Sequence, residues 1–216
     1  MNKIAIVMST YNGRRNIKEQ IDSVFKQKNV DVSLFIRDDG SQDDTLSICE
    51  ELSAVNAKIH ILKSSYDHSN VGYRRSFLIA LKETFNLEEY DFFGFCDQDD
   101  VWFDNKLIVA IDYISNIKTP ALYCSNRIPC DENLTPIGKE YGIENCYFAS
   151  IIEDVAAPGS TMVFNKEMAE IICKYTLPDI DVNWGHDSYV FRLAKSTGAK
   201  VVFDENAYLY YRIHND

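Results

Sequence analysis

Across the first 117 residues, short apolar runs alternate with segments of helical period, and few folds accommodate that alternation. Residues 4–8 (Ile-Ala-Ile-Val-Met) form such a run, which reads as a buried parallel strand. Residues 32–36, 58–62 and 91–95 give three further short strands rich in apolar residues. Between them lie segments with apolar residues on one helical side. Residues 16–26 place Ile17, Ile21, Val24 and Phe25 together, and residues 74–85 do the same with Phe77, Leu78, Leu81 and Phe85. A helix after Asp43 or Asp44 and another over 104–117 complete the series. Strands joined through helices run parallel, so the expected fold class is α/β: a mainly parallel sheet between two helical layers.

After residue 117 the pattern loosens. Strands are expected over 121–125, 160–164, 201–203 and 207–212, and helices over 166–175 and 187–195. Residues 126–146 contain Pro129, Pro136, Gly138 and Gly142 and read as loops or a short hairpin. The chain divides into an α/β half, 1–117, and a less regular half, 118–216. At 216 residues both fit one compact domain with a single sizeable core. A continuation beyond Asp216 is left open.

Charge and motifs exclude several classes. A net charge of -11 and a pI near 4.8 give no general attraction for nucleic acid. The six cysteines form no CxxC pair and read as small buried hydrophobes in a reducing compartment. No leader-like stretch and no run of about 18 apolar residues is present, so the expected location is cytoplasmic. Peripheral attachment at the inner face of the cell membrane stays open. GxxxxGK[ST], GxGxxG after the first strand, and HExxH are all absent.

In an open α/β sheet, ligands bind beyond the carboxyl ends of the strands. The polar groups expected there are Thr10 to Gly13, Asp38 to Ser41, Asn70 to Arg75, and Cys96-Asp97-Gln98-Asp99-Asp100. Three crowded carboxylates repel one another unless a cation sits among them, and an all-oxygen set suits Mg2+ or Mn2+. Asp38 or Asp39 can accept from a base N–H or a ribose hydroxyl, or simply form a turn. Asn70, Gly72, Arg74 and Arg75 offer close backbone approach and guanidinium donors for phosphate, or else a solvated helix start. In the second half, Gly159 and Ser160 lie in a loop entering a strand, and Trp184 can stack on a sugar or belong to the core. Asp187 can cap a helix or serve as a general base. His214 follows the last strand and can ligate metal, contact a diphosphate or lie idle on the surface.

The ordered set Ser9-Thr10-Tyr11-Asn12-Gly13, Asp38-Asp39-Gly40-Ser41, Asn70-Val71-Gly72, Asp97-Gln98-Asp99-Asp100, His186-Asp187 and Arg212-Ile213-His214 resembles family 2 glycosyltransferases of the GT-A fold. The stretch 96–102 and the late Tyr-Arg-x-His resemble bacterial rhamnosyltransferase-like members that build cell-surface polysaccharide. The resemblance implies a three-layer α/β/α sandwich with a Rossmann-like, nucleotide-binding first half and an acceptor-side, catalytic second half. It implies a UDP- or dTDP-sugar donor, a saccharide or lipid-linked saccharide acceptor, Mg2+ or Mn2+, and inversion at the anomeric carbon. Thr10 and Tyr11 would line the nucleotide pocket, Asp38 would face the base, and Asn70, Gly72, Arg74 and Arg75 would frame the nucleotide. Asp97 would sit near the ribose, Asp99 and His214 would hold metal, and Asp187 would be the general base. Asp100, Gly159, Ser160, Trp184 and His186 would contribute to sugar or acceptor contacts. His186 stands where the family usually has Glu. Other readings are a nucleotidyltransferase making nucleotide-sugars, for which residues 9–15 lack the basic glycine-rich loop, and a non-catalytic nucleotide-sugar-binding module.

Overall fold

The computed structural model describes residues 1–67, 70–87, 90–143, 157–175 and 185–214. Its strands are β1 (Lys3–Thr10), β2 (Asp31–Asp38), β3 (Ile59–Ile61), β4 (Phe92–Cys96), β5 (Val101–Trp102), β6 (Ala121–Cys130), β7 (Val163–Asn165) and β8 (Lys200–Arg212). Its helices are α1 (Ile17–Phe25), α2 (Thr45–Val55), α3 (Tyr73–Phe85), α4 (Lys106–Ile114), α5 (Lys166–Lys174) and α6 (His186–Ser196). All eight strands join one sheet in the order β3-β2-β1-β4-β7-β6-β8-β5. The β3-β2-β1-β4 pairings are parallel. β7 is antiparallel to both β4 and β6, which restores the original direction in β6, and β8 runs parallel to β6. The carboxyl ends of β1, β2, β4, β6 and β8 therefore point the same way.

Alternation along the central strands builds two cores. Ala5 and Val7 of β1 face α3, α5 and α6, packing with Phe77, Phe95, Phe164 and Phe191. Ile4, Ile6 and Met8 face α1, α2 and α4, packing with Ile21, Cys49, Leu107 and Ile111. That is the expected three-layer sandwich, and the single sheet runs through both halves of the chain. Asn165 ties the halves together: its Oδ1 accepts from the N–H groups of Met168, at the start of α5, and Ala121, at the start of β6.

Three expectations about the second half are corrected. The late strands are one, because β8 absorbs extra residues through irregular pairing with β6 near Ser125 and Asn126. Asp204 stabilises that bulge, accepting from the Asn206 N–H and from the hydroxyls of Tyr123 and Tyr208. β6 runs on to Cys130 through Pro129. β7 pairs with it only at Leu122 and Tyr123, so the far end of β6 has no β7 neighbour and tolerates proline. Within residues 160–164, Gly159–Thr161 forms a 3-10 turn and the strand begins at Val163. The two-residue β5 is too short to register as a periodic signal. Cys49, Cys96, Cys124 and Cys130 are buried and unbridged, as read from the sequence; Cys146 lies outside the described residues.

Candidate active site

The strand ends enclose a cavity of about 440 Å3. β1 contributes Ser9 and Thr10, with Tyr11 just beyond; Asp39 follows β2; Asn70 and Gly72 precede α3, which adds Tyr73 and Phe77. Asp97, Gln98 and Asp99 follow β4, and Tyr211, Arg212 and His214 come from the end of β8. The structure thus brings Thr10, Tyr11, Asn70, Gly72, Asp97, Asp99 and His214 of the expected set to one place. Gly72 has φ +79, a conformation that favours glycine and lets the chain turn into α3 beside the cavity.

Asp38, expected to face the base, does not line the cavity. Its Oδ1 accepts from the N–H groups of Gly40 (3.1 Å) and Ser41 (2.8 Å). Its Oδ2 accepts from the hydroxyls of Thr10 (2.9 Å) and Ser41 (2.5 Å). That carboxylate is consumed in shaping its own loop, and the neighbouring Asp39 lines the cavity instead. Arg74 and Arg75 do not line it. Arg74 Nε lies 3.3 Å from the Tyr73 hydroxyl, and Arg75 is exposed on α3.

Gln98, read in the sequence only as the spacer between two aspartates, is a clamp. Its Oε1 accepts from the Tyr11 N–H at 2.9 Å, and its Nε2 donates to the Tyr11 carbonyl at 3.0 Å. A side chain at Gly13 would collide with it, a Cβ there lying 2.2 Å from Gln98 Oε1. This pairing fixes the loop after β1 against the loop after β4. Arg212 supports the same loop from below, donating from Nη1 to the Asp99 carbonyl and from Nη2 to Glu19.

The electrostatics of the carboxylate loop are strained. Burial, then the charges of Asp99 and Asp187, push the Asp97 carboxyl up to about 7; the Arg127 guanidinium and the Ser160 hydroxyl pull the other way. Asp100 is fully buried and pushed well above the carboxylate range by burial and by Asp97 and Asp99. Neither of its oxygens has a hydrogen-bond partner among the described residues. Asp100, expected among the sugar or acceptor contacts, does not line the cavity. Built-in cations offset part of this charge. Arg127 lies 3.7 Å from the Tyr211 ring centre and 4.8 Å from that of Tyr141. Lys106, buried over Trp102, is pushed down to about 8 by burial, against the pull of nearby acidic groups.

At the metal-candidate side, His214 Nε2 lies 2.7 Å from Asp99 Oδ2, and His214 Nδ1 lies 3.1 Å from Glu132 Oε1. Partial burial lowers the His214 pKa, but the bonds to Asp99 and Glu132 and their charges raise it overall. Carboxylate oxygens suit Mg2+ or Mn2+, but among the described residues no group of three or more His, Cys, Asp or Glu is placed to hold a metal ion.

Asp187, in the first turn of α6, accepts from the Ser188 N–H at 2.7 Å, and its charge is near enough to Asp97 to raise it. His186 is 5% exposed and stacks on Phe77 with ring centres 4.0 Å apart. Burial holds its pKa down to about 4, against the pull of Asp187, so the ring is neutral at neutral pH. A Cβ at Gly159 would lie 2.4 Å from His186 Nε2, so that glycine makes room for the imidazole. Gly159, Ser160 and His186 are buried and do not line the cavity; they stand behind it. Trp184 lies outside the described residues.

The mixed, mainly parallel sheet carries a cavity at its strand ends, bordered by the acidic loop after β4, and sequence comparison gives the family. Residues 5–172 match the profile of Glycosyl transferase family 2, and the chain belongs to that family. It is 32% identical over 97% of its length to dTDP-rhamnosyl transferase RfbG of Shigella flexneri, spanning 72% of that protein. It is 26% identical over 76% of its length to the Escherichia coli UDP-Glc:alpha-D-GlcNAc-diphosphoundecaprenol beta-1,3-glucosyltransferase WfgD, spanning 61% of it. Among solved structures, S. aureus TarS 1-349 in complex with UDP superimposes with a TM-score of 0.68 at 20% identity. That match covers 98% of this chain and 60% of TarS 1-349, and it establishes the GT-A type of fold.

Proposed function

We propose that this chain transfers a sugar from a UDP- or dTDP-sugar to a hydroxyl of a glycan or lipid-linked saccharide, inverting the anomeric carbon in a single displacement. The observation that carries the proposal is the convergence, at one cavity, of Thr10, Asp39, Asn70 and Gly72 with Asp97, Asp99 and His214. The names of RfbG and WfgD, a dTDP-rhamnosyl transferase and a glucosyltransferase for a diphosphoundecaprenol-linked acceptor, support the donor and acceptor classes.

Asp39 accepts from the base, and the half-exposed Tyr11 ring borders the base pocket. The Gly72 turn lets the nucleotide approach backbone. Asp99 and His214 would hold Mg2+ or Mn2+, with Asp97 nearer the ribose, and a bound cation would offset charge on the departing diphosphate. A neighbour of the same fold, the mannosyltransferase PcManGT of Pyrobaculum calidifontis, is known with GDP-Man and Mn2+. Asp187 takes the proton from the acceptor hydroxyl as it attacks from the opposite face. Residues 1–117 supply most of the donor cavity, completed by Tyr211, Arg212 and His214 of the second half, and Asp187 of that half serves the acceptor. No described helix is long and apolar enough to cross a membrane; we place the reaction at the cytoplasmic face of one, on a lipid-linked acceptor.

The test is Asp187→Asn with a dTDP- or UDP-sugar and a lipid-linked acceptor. The account expects donor affinity within about 3-fold of wild type and transfer reduced by about 100-fold or more. Transfer near the original rate would remove Asp187 from the role of base.

A further inference from the structure

One aromatic ring on the cavity wall does little for the fold. Tyr73 opens α3 and lines the cavity, yet it is 57% exposed. The turn at Gly72 delivers it there. Phe77 follows one turn further along the same face of α3 and also lines the cavity, but it is 3% exposed. The two rings meet on the imidazole of His186. Phe77 stacks on it with ring centres 4.0 Å apart, and Tyr73 stands edge-on to it at 6.4 Å and 86°. Phe95 closes the array from the core side, edge-on to both Phe77 and His186. A row of rings thus runs from the core to the cavity wall, and Tyr73 is its outer end. The Tyr73 hydroxyl accepts from Arg74 Nε at 3.3 Å, and the Arg74 guanidinium carbon stands 5.6 Å from the ring centre, so a neighbour steers the ring while most of it stays open.

What flanks this ring gives it a use. On one side are Asn70 and Gly72, which border the cavity where the nucleotide is placed. On the other is His186, followed in α6 by Asp187, the base of the proposed reaction. In a single displacement the anomeric carbon lies between the leaving diphosphate oxygen and the attacking hydroxyl. The wall that spans the nucleotide side and the base therefore flanks the transferred sugar. A pyranose carries hydroxyls around its rim and C–H bonds on its faces. The rim suits the carboxylates of Asp97 and Asp99. A C–H face suits the electron-rich face of an open aromatic ring. Phe77 cannot offer that surface, because it is buried and His186 covers one of its faces.

We propose that Tyr73 is the platform for the transferred sugar: the pyranose of the nucleotide-sugar stacks a C–H face on the Tyr73 ring, which holds it between the diphosphate and Asp187. The inference rests on the reading that a nucleoside diphosphate-sugar binds in this cavity. The ring and not the hydroxyl carries the contact, and the nucleotide half binds without it.

The experiment measures binding of UDP, dTDP, UDP-glucose and dTDP-rhamnose by calorimetry at fixed Mg2+, on wild type, Tyr73→Phe, Tyr73→Leu and Tyr73→Ala. The side chain is exposed, so the variants should fold, and circular dichroism checks that they do. Wild type should bind at least one of the two nucleotide-sugars. Tyr73→Ala, and Tyr73→Leu with its apolar but ringless side chain, should weaken that nucleotide-sugar by about 5- to 10-fold. Both should bind the parent nucleotide within about 2-fold of wild type, and Tyr73→Phe should stay within about 2-fold for both ligands. A structural role alone would weaken nucleotide and nucleotide-sugar together, and that result overturns the proposal. So does a Tyr73→Ala protein that binds the nucleotide-sugar as wild type does, or a Tyr73→Phe protein as weak as Tyr73→Ala. A wild type that binds UDP or dTDP but neither nucleotide-sugar overturns it as well, while leaving the nucleotide site standing. A wild type that binds none of the four ends both this proposal and the functional reading beneath it.

Discussion

Asp38→Ala is the substitution that best separates the loop-building carboxylate from the ligand-facing one. Asp38 is buried and accepts four hydrogen bonds, two from backbone N–H groups and two from hydroxyls. The Thr10 and Ser41 hydroxyls can rotate to other acceptors, but the Gly40 and Ser41 N–H groups are fixed by the turn. Each N–H bond to a charged acceptor contributes about 1.5–3 kcal/mol, and a buried donor left unpaired costs a similar amount. The expected loss of stability is therefore about 3–5 kcal/mol. In a chain of this size about 1 kcal/mol moves the melting temperature by 2–4 °C, which gives a fall of about 6–20 °C. Differential scanning fluorimetry measures that fall, and calorimetry well below the lowered midpoint measures UDP and dTDP binding to the molecules that remain folded. Their affinity should stay within about 5-fold of wild type, because our proposal assigns the base contact to Asp39 and not to Asp38. An Asp38→Ala protein with an unchanged midpoint and abolished nucleotide binding would refute the assignment.

Two further outcomes follow from the same geometry. His186 has a folded pKa of about 4 against an ordinary 6.5, so the unfolded chain binds more protons between those values. Its contribution to stability is complete above pH 6.5 and is lost as pH falls toward 4, amounting to about 2 kcal/mol between pH 7 and 5. Because other groups, Asp97 among them, also titrate in this range, the readout is the difference between proteins: urea unfolding at the two pH values should show wild type losing about 2 kcal/mol relative to His186→Phe, where an aromatic ring still stacks on Phe77; the same pH dependence in both would contradict the burial of a neutral imidazole. Gln98→Ala removes both bonds to the Tyr11 backbone, and should cost about 1–3 kcal/mol of stability and raise the donor KM by about 10-fold. Unchanged donor kinetics would mean that the clamp does not position the nucleotide loop.

The first half of the fold was legible because its central strands, β1 and β4, are short apolar runs buried on both faces and each crossover contains a helix with one apolar side. The second half was less so, since its strands are shaped by long-range contacts that leave no local period. Asp204 bridges Asn206, Tyr123 and Tyr208 to carry β8 through a bulge, and nothing near residue 204 in the sequence announces it. The site followed the same division. Thr10, Tyr11, Asn70, Gly72, Asp97 and Asp99 sit at strand ends, where topology alone places them. Asp38 and Asp39 are consecutive, and only the turn geometry decides which carboxylate folds back and which faces the cavity. Gln98 escaped notice because its role depends on a partner far away in sequence, the Tyr11 backbone.

The central claim is that the acidic loop after β4 works with a divalent cation on a nucleoside diphosphate-sugar. Titration calorimetry of UDP- and dTDP-sugars onto the chain, after EDTA and then with Mn2+ or Mg2+ restored, tests it most directly, with Asp99→Ala in parallel. The account predicts that one donor binds, that the metal strengthens its binding by about 10-fold or more, and that Asp99→Ala removes the strengthening. Donor binding of equal strength with EDTA and with metal, or a metal response intact in Asp99→Ala, would contradict it.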